Sequence, residues 1–269
     1  MCKECGCGVG GGSAQIDAGH GHEHDHDGHG HQHNQRTVSL NRSLMEKNDR
    51  LAEVNRNEFH RRKLVVLNVL SSPGSGKTAF IRETAMRLHE RLRMGVIVGD
   101  LATDNDAARL RAAGIPVVQV TTGTVCHLDA EMVSRAAQRL DLGSLDVLVI
   151  ENVGNLVCPA DYDLGEDLRV VLLSVTEGED KPLKYPPMFH SAGCAVITKT
   201  DLAAAAGFDR HQALANLRRI SHHARIFELS ARTGSGMEEW IEFLEQEHAA
   251  LSGNRRSMLG RALHALLEP

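Results

Sequence analysis

Apolar positions change rhythm twice along the chain. As far as residue 38 neither a helical nor a strand period is present, and Gly, His, Asp and Gln dominate. Such a segment holds too little apolar surface to fold alone. Leu40, Leu44, Leu51, Val54 and Phe59 then recur at rough helical spacing. From residue 64 onward short β-branched runs alternate with longer stretches of helical pattern. Runs at 64–70, 96–99, 117–120, 147–150, 170–175, 195–198 and 226–229 predict strands, and 78–93, 128–140, 210–222 and 237–249 predict helices. This alternation specifies an α/β fold, a mainly parallel sheet covered by helices on both faces. The expected organisation is a tail, 1–38, disordered unless metal orders it, followed by one domain, 39–269. Sheets of this kind bind ligands beyond the carboxyl ends of their strands.

Composition narrows the function classes. Of 269 residues 42% are apolar and 24% charged, ordinary for a globular protein, while aromatics are only 3%, so the core rests on Val, Leu, Ile and Ala. A net charge of −5 argues against a nucleic-acid partner, which usually meets a basic face. The opening residues lack a basic stretch followed by an apolar core, and runs such as 64–70 are too short to cross a bilayer. The expectation is a soluble cytoplasmic protein with no membrane partner.

The most specific chemistry follows the first predicted strand: Ser71-Ser72-Pro73-Gly74-Ser75-Gly76-Lys77-Thr78. This is a phosphate loop, Gly-x4-Gly-Lys-[Ser/Thr], with Ser71 in place of the first glycine, and it makes the fold a P-loop NTPase. Backbone amides around Gly74, Ser75 and Gly76 would cradle phosphates. Lys77 would neutralise the β and γ oxygens, and Thr78 would coordinate Mg²⁺. Two acids end other strands, Asp100 and Glu151, and either could reach Mg²⁺ or its waters. Thr198-Lys199-Thr200-Asp201 resembles the guanine-reading Asn-Lys-x-Asp motif, with Thr for Asn. Asp201 would accept from the guanine ring N–H and exocyclic amine, a donor pair that adenine lacks, and Lys199 would lay its stem on the base. Ser230-Ala231-Arg232 resembles a second base-contacting loop.

Metal ligands cluster in two places. Cys2, Cys5 and Cys7 are too crowded for an ordinary disulfide framework, and a reducing compartment would keep them as thiols fit for metal. His20, His22, His24, His26, His29, His31 and His33 follow. Farther on, Cys126-His127 and Cys158 leave the same sheet edge and are expected to converge on Zn²⁺ or Ni²⁺. Three ligands are one short of a closed tetrahedral site, and a second copy of the chain across a two-fold axis could complete it. Cys194, inside a predicted strand, reads as an inert core residue.

At these residues the chain resembles the hydrogenase nickel-incorporation GTPases, the HypB family of metallochaperones. The resemblance rests on the amino-terminal cysteines, the His-rich insert, residues 48–59, the phosphate loop, Asp100, Asn105-Asp106-Ala107, Cys126-His127-Leu128-Asp129-Ala130, and above all Glu151-Asn152-Val153-Gly154-Asn155-Leu156-Val157-Cys158-Pro159. It implies a GTPase that dimerises on binding GTP and delivers Ni²⁺ during maturation of [NiFe]-hydrogenase. Its partners would be a nickel-binding accessory protein and the hydrogenase large-subunit precursor. Cys126, His127 and Cys158 would form an interfacial Ni/Zn site. Cys2, Cys5 and Cys7 with the terminal amine would form a separate square-planar nickel site, and the histidines a nickel store. Alternatives are a nickel storage protein with a vestigial nucleotide domain, the related urease-maturation type of GTPase, and a small-molecule kinase, for which no acceptor pocket or lid is found.

Overall fold

The computed structural model describes residues 30–253, with side chains from residue 43 onward. Helix α1 spans Gly30–Arg61 and strand β1 Val65–Leu70. Then come α2 (Lys77–Leu88), β2 (Met94–Asp100), α3 (Asn105–Ala112), β3 (Val117–Thr121), α4 (Ala130–Ala137), β4 (Val147–Glu151) and β5 (Leu168–Ser174). Short helices α5 (Lys181–Lys184) and α6 (Pro186–His190) lead to β6 (Cys194–Thr198). The described chain closes with α7 (Ala203–Ala206), α8 (Arg210–Ile220), β7 (Arg225–Glu228) and α9 (Met237–Leu251). None of these helices is long and apolar enough to cross a membrane.

All seven expected strands are present within two residues of their predicted bounds. They form one parallel sheet in the order β3-β2-β4-β1-β5-β6-β7. Alternate strand residues serve opposite faces, as the period of two requires. Val65, Leu67 and Val69 pack with Phe80 and Ile81 of α2 and with Trp240 and Leu244 of α9. Val66, Ile97, Leu148 and Ile150 face the other way, toward Phe59 of α1 and Val133 of α4. The chain leaves β1 over β4 to reach β2 and returns to β1's other side as β5, so the carboxyl end of β1 lies at the switch point.

Helix boundaries differ from expectation where a cap or a turn overrides periodicity. The helix after the phosphate loop stops at Leu88, not at residue 93, because the Arg91 and Leu92 amides both turn back to the Leu88 carbonyl, which buries Leu92. The helix expected at 128–140 begins at Ala130, since the Asp129 side chain accepts from the Met132 amide and caps it. Helix α3 has no counterpart in the apolar pattern. Helix α1 starts at Gly30, so the expected boundary at 38 falls inside it.

The docking face of α1 also differs from the one its apolar residues suggest. Leu44 and Val54 are 60% and 62% exposed, whereas Asn48, Ala52, Asn55 and Phe59 are buried, at the i, i+4, i+7, i+11 spacing of one stripe. Asn55 Nδ2 donates to the carbonyls of Ala130 (2.8 Å) and Leu164 (3.1 Å). Asn48 accepts from the Ala130 amide (2.9 Å) and donates to the Asp163 carbonyl (2.8 Å). Arg56 holds the Asp163 carboxylate through two contacts of 2.7 and 2.8 Å.

Gly165 lets α1 approach this closely. Its φ is +90°, and an added Cβ would meet the Ala52 carbonyl oxygen at 2.6 Å and Asn55 Cβ at 2.7 Å. Gly165→Ala is expected to cost about 2–4 kcal/mol in urea unfolding, from strain and displaced packing together. A loss below about 0.5 kcal/mol, typical of an exposed site, would show that α1 does not press on this turn.

Candidate functional site

The phosphate loop turns sharply out of β1. Gly74 and Gly76 adopt φ of +79° and +95°, and Gly76 stands at the start of α2 with no side-chain cap there. The first amides of α2 are therefore open to an anion. Ser71 is fully buried, donates to the Ser72 carbonyl (2.7 Å) and accepts from Lys77 Nζ (3.2 Å). The residue that replaces the first glycine is thus the lysine's own partner. Burial pulls the Lys77 ammonium below the usual lysine range, against the opposing charges of Glu151, Asp106, Glu177 and Asp100.

Glu151 ends β4 beside this lysine and is 2% exposed. Its Oε1 accepts from the Thr78 hydroxyl at 2.8 Å, while its buried Oε2 has no hydrogen-bond partner among the described residues. Burial pushes its carboxyl up to about 7, although Lys77 and Thr78 pull the other way. An orphaned carboxylate oxygen next to a threonine hydroxyl is the donor set that Mg²⁺ or one of its waters would satisfy. Asp100 differs. Its Oδ1 accepts from the Ala102 amide (3.0 Å) and from the Thr103 amide (2.8 Å) and hydroxyl (3.1 Å). Burial opposes its ionisation, but these bonds and the Lys77 charge outweigh it and hold the carboxyl below the ordinary range. One oxygen shapes the 100–103 turn, which leaves Oδ2 for a ligand.

Two residues on the phosphate loop's flanks were not picked out as site residues by sequence. Glu177, in the turn after β5, accepts from the hydroxyls of Ser72 (2.6 Å) and Ser75 (3.0 Å). Asp106, in the first turn of α3, acts on both Lys77 and Glu151 through its charge. The only signal for Glu177 is its position after a strand end.

The base-side residues meet in a cavity of about 220 Å³ beside the loop, lined by Ser75, Gly76, Lys199, Asp201, Ser230 and Ala231 among others. Asp201 Oδ1 is fixed by the Ser230 hydroxyl at 2.5 Å. Thr198, standing where the guanine motif has Asn, donates to the Ser75 carbonyl (2.9 Å) and so ties this loop to the phosphate loop. Lys199 adopts the uncommon φ of +58° and runs along the loop, its Nζ donating to the Gly74 carbonyl at 2.7 Å. Its stem walls the cavity above Gly76.

Cys126, His127 and Cys158 converge as expected, with their ligand atoms within 4.8 Å of one another. The two sulfurs approach to 2.7 Å. His127 is buried and stacks on Tyr162 with ring centres 3.9 Å apart, and its Nδ1 has no hydrogen-bond partner among the described residues. Burial holds its imidazole below the usual histidine range against the charge of Asp129. Burial thus favours the neutral ring, the form that binds a metal. Cys194 is buried under the sheet and its thiol is pushed up to about 12 by that burial, in keeping with an inert core role. Cys2, Cys5, Cys7, His20, His22, His24, His26 and His29 lie outside the described residues, and His31 and His33 fall in the first turns of α1.

The two centres share backbone. Asn152 follows Glu151, and its Oδ1 accepts from the amides of Leu128 (3.2 Å) and Val153 (2.9 Å), while its Nδ2 donates to Asn68 (3.2 Å). Asn155 Nδ2 donates to the Cys126 carbonyl at 3.3 Å. Gly154 lies against the phosphate loop, since a Cβ there would meet Pro73 at 3.1 Å.

Comparison with known proteins agrees with this geometry. The CobW/HypB/UreG nucleotide-binding domain family matches residues 65–228. The chain is similar to the hydrogenase maturation factor HypB of Escherichia coli (strain K12), at 50% identity over 216 residues, 80% of this chain and 74% of that protein. It is similar to the crystal structure of HypB from Helicobacter pylori in complex with nickel, at 40% identity and a TM-score of 0.73, covering 76% of this chain and 96% of that one. It is also similar to HypB from Archaeoglobus fulgidus, at 41% identity and a TM-score of 0.71, covering 76% and 99%.

Asp201→Asn is expected to exchange guanine for xanthine preference, because an amide donor would face the carbonyl that xanthine carries in place of the amine. Competition between GDP and XDP reads this directly. Unchanged preference for GDP would remove Asp201 from the base site.

Proposed function

The chain belongs to the CobW/HypB/UreG family and, within it, to the HypB hydrogenase maturation factors, and on that basis we propose that it hydrolyses GTP to GDP and phosphate so as to control the delivery of Ni²⁺. The receiving protein is the large-subunit precursor of a [NiFe]-hydrogenase, reached with a nickel-binding accessory protein, in the cytoplasm. Residues 39–269 form the GTPase domain, and 1–38, with Cys2, Cys5 and Cys7, a separate nickel-acquiring segment whose histidines act as a store.

Hydrolysis rests on positioning and charge neutralisation. The amides at the start of α2 and Lys77 take the β and γ oxygens, and Asp201 holds the guanine edge. Thr78, Asp100 and Glu151 would hold Mg²⁺, which supplies further neutralisation of the phosphate oxygens. The cargo, Ni²⁺ or Zn²⁺, is taken by Cys126, His127 and Cys158, and a second copy of the chain across a two-fold axis supplies the remaining donors. Binding of GTP favours the dimer in this reading, as the family resemblance implies.

The observation that carries this reading is the junction of Glu151 with Asn152. One residue faces the phosphate site, and the next accepts from the amide that follows His127. A change of nucleotide that moves this loop moves the metal ligands, and by reciprocity bound metal changes nucleotide affinity or dimerisation.

The test is Ni²⁺ titration of full-length and tail-deleted protein with GDP and with a non-hydrolysable GTP analogue, while following oligomeric mass. A coupling in the usual range shifts the tail-independent affinity about 5–150-fold between nucleotides. Equal affinities and equal mass would sink the coupling. Asn152→Ala is expected to shrink that difference while GDP binding persists, and Lys77→Ala to abolish turnover while metal binding persists. GTP turnover surviving Lys77→Ala would overturn the hydrolytic mechanism.

A further inference from the structure

Away from both centres, three exposed imidazoles meet at the other end of the sheet. His190 closes α6, and His222 and His223 occupy the turn between α8 and β7. Strand β6 begins at Cys194 and β7 at Arg225, so the group lies at the amino ends of these strands. The phosphate loop and Cys126 lie beyond carboxyl ends. The His223 ring centre is 5.7 Å from that of His190 and 5.4 Å from that of His222, edge-on to both.

These separations are close to what a shared ion needs. With a metal–nitrogen bond of about 2.0–2.1 Å, two imidazoles on one ion place their ring centres roughly 4.5–5.3 Å apart. Small rotations of these exposed side chains would close the remaining few tenths of an ångström in each of the two pairs. His190 is also prepared electronically. Its Nδ1 lies 3.1 Å from the Ile220 carbonyl oxygen, which only accepts, so Nδ1 carries the proton and Nε2 keeps the lone pair. A ligand histidine characteristically has its other nitrogen tied to a carbonyl in this way.

The donor set selects the class of ion. Oxygen-seeking Mg²⁺ and Ca²⁺ gain nothing from imidazoles, whereas late first-row cations do. We propose that His190, His222 and His223 form a surface site for Ni²⁺, Cu²⁺ or Zn²⁺, with water completing the coordination, independent of the Cys126 centre and of nucleotide.

Residue-resolved carbethoxylation of the full-length chain tests this, with modified histidines located by peptide mass spectrometry so that the tail histidines are read separately. Ni²⁺ alone and Zn²⁺ alone are the probes, and His211, exposed in α8, is the internal reference. The expected result is loss of reactivity at His190, His222 and His223 together as metal is added beyond what the tail takes up, with His211 unchanged and with GDP and a GTP analogue giving the same curve. His190→Ala should restore the reactivity of His223, and His223→Ala that of His190; the reciprocal pair guards against a folding defect in either. Continued reaction of these histidines at the rate of His211 overturns the proposal. Protection of His223 that persists in His190→Ala overturns a shared ion.

Discussion

Glu151 and Asn152 are joined by one peptide bond at the carboxyl end of β4, and the two centres of this protein hang from its two sides. Strand β4 is held on both edges, by β1 and β2, so this end of it is fixed relative to the sheet. Glu151 turns its carboxylate to Thr78, and Asn152 turns its amide to Leu128 and Asn68. The phosphate side is held away from its electrostatic optimum. Burial raises the Glu151 carboxyl and lowers the Lys77 ammonium, so the same cause disfavours the charged form of each. A bound nucleotide with a cation would meet both demands at once, anion to lysine and cation to glutamate. Filling the site would therefore change the charge at the residue beside Asn152.

Around this junction the candidate metal ligands are positioned by buried hydrogen bonds as well as by apolar packing. Asn48 and Asn55 of α1 fasten Ala130, which follows the Cys126-His127 segment, and Asp163 and Leu164, which follow Cys158. Arg169, paired with Glu166 at 2.8 Å, donates to the carbonyls of Ala160 (2.5 Å) and Tyr162 (2.6 Å) and fixes the intervening turn. A hydrophobic contact tolerates sliding, whereas a buried hydrogen bond loses most of its value with a small misalignment and leaves an unsatisfied group worth about 1–3 kcal/mol. The network thus sets where the two sulfurs and the imidazole stand relative to one another.

Alternation of short β-branched runs was enough to read the α/β sheet and its seven strands, because each strand is buried and its period survives in the sequence. The phosphate loop was legible for a different reason: glycine at Gly74 and Gly76 and lysine at Lys77 are needed by conformation and charge together. Convergence of Cys126, His127 and Cys158 followed from strand ends sharing one edge. The docking of α1 was not legible, since its buried stripe carries asparagines and its leucine and valine point to solvent. A hydrogen bond between Asn55 and Leu164 spans residues far apart in sequence, and no local period records it. Glu177 was missed likewise, because its partners Ser72 and Ser75 come from a loop that only the fold brings to it.

A metal site is a sensitive detector for the small loop displacements that a nucleotide cycle can produce. Metal–ligand bonds tolerate departures of about 0.2 Å, far less than the motion of a loop that gains or loses a phosphate contact. Val153 and Gly154 lie between Asn152 and Asn155, and Gly154 rests on Pro73 of the phosphate loop. A shift of that loop by a fraction of an ångström therefore reaches the Cys126 carbonyl through Asn155 and the Leu128 amide through Asn152. Both bonds flank the ligand pair, so the displacement would alter the separation of Cys126 and His127 from Cys158 rather than carry all three along. A coupling of 1–3 kcal/mol needs no larger rearrangement than this.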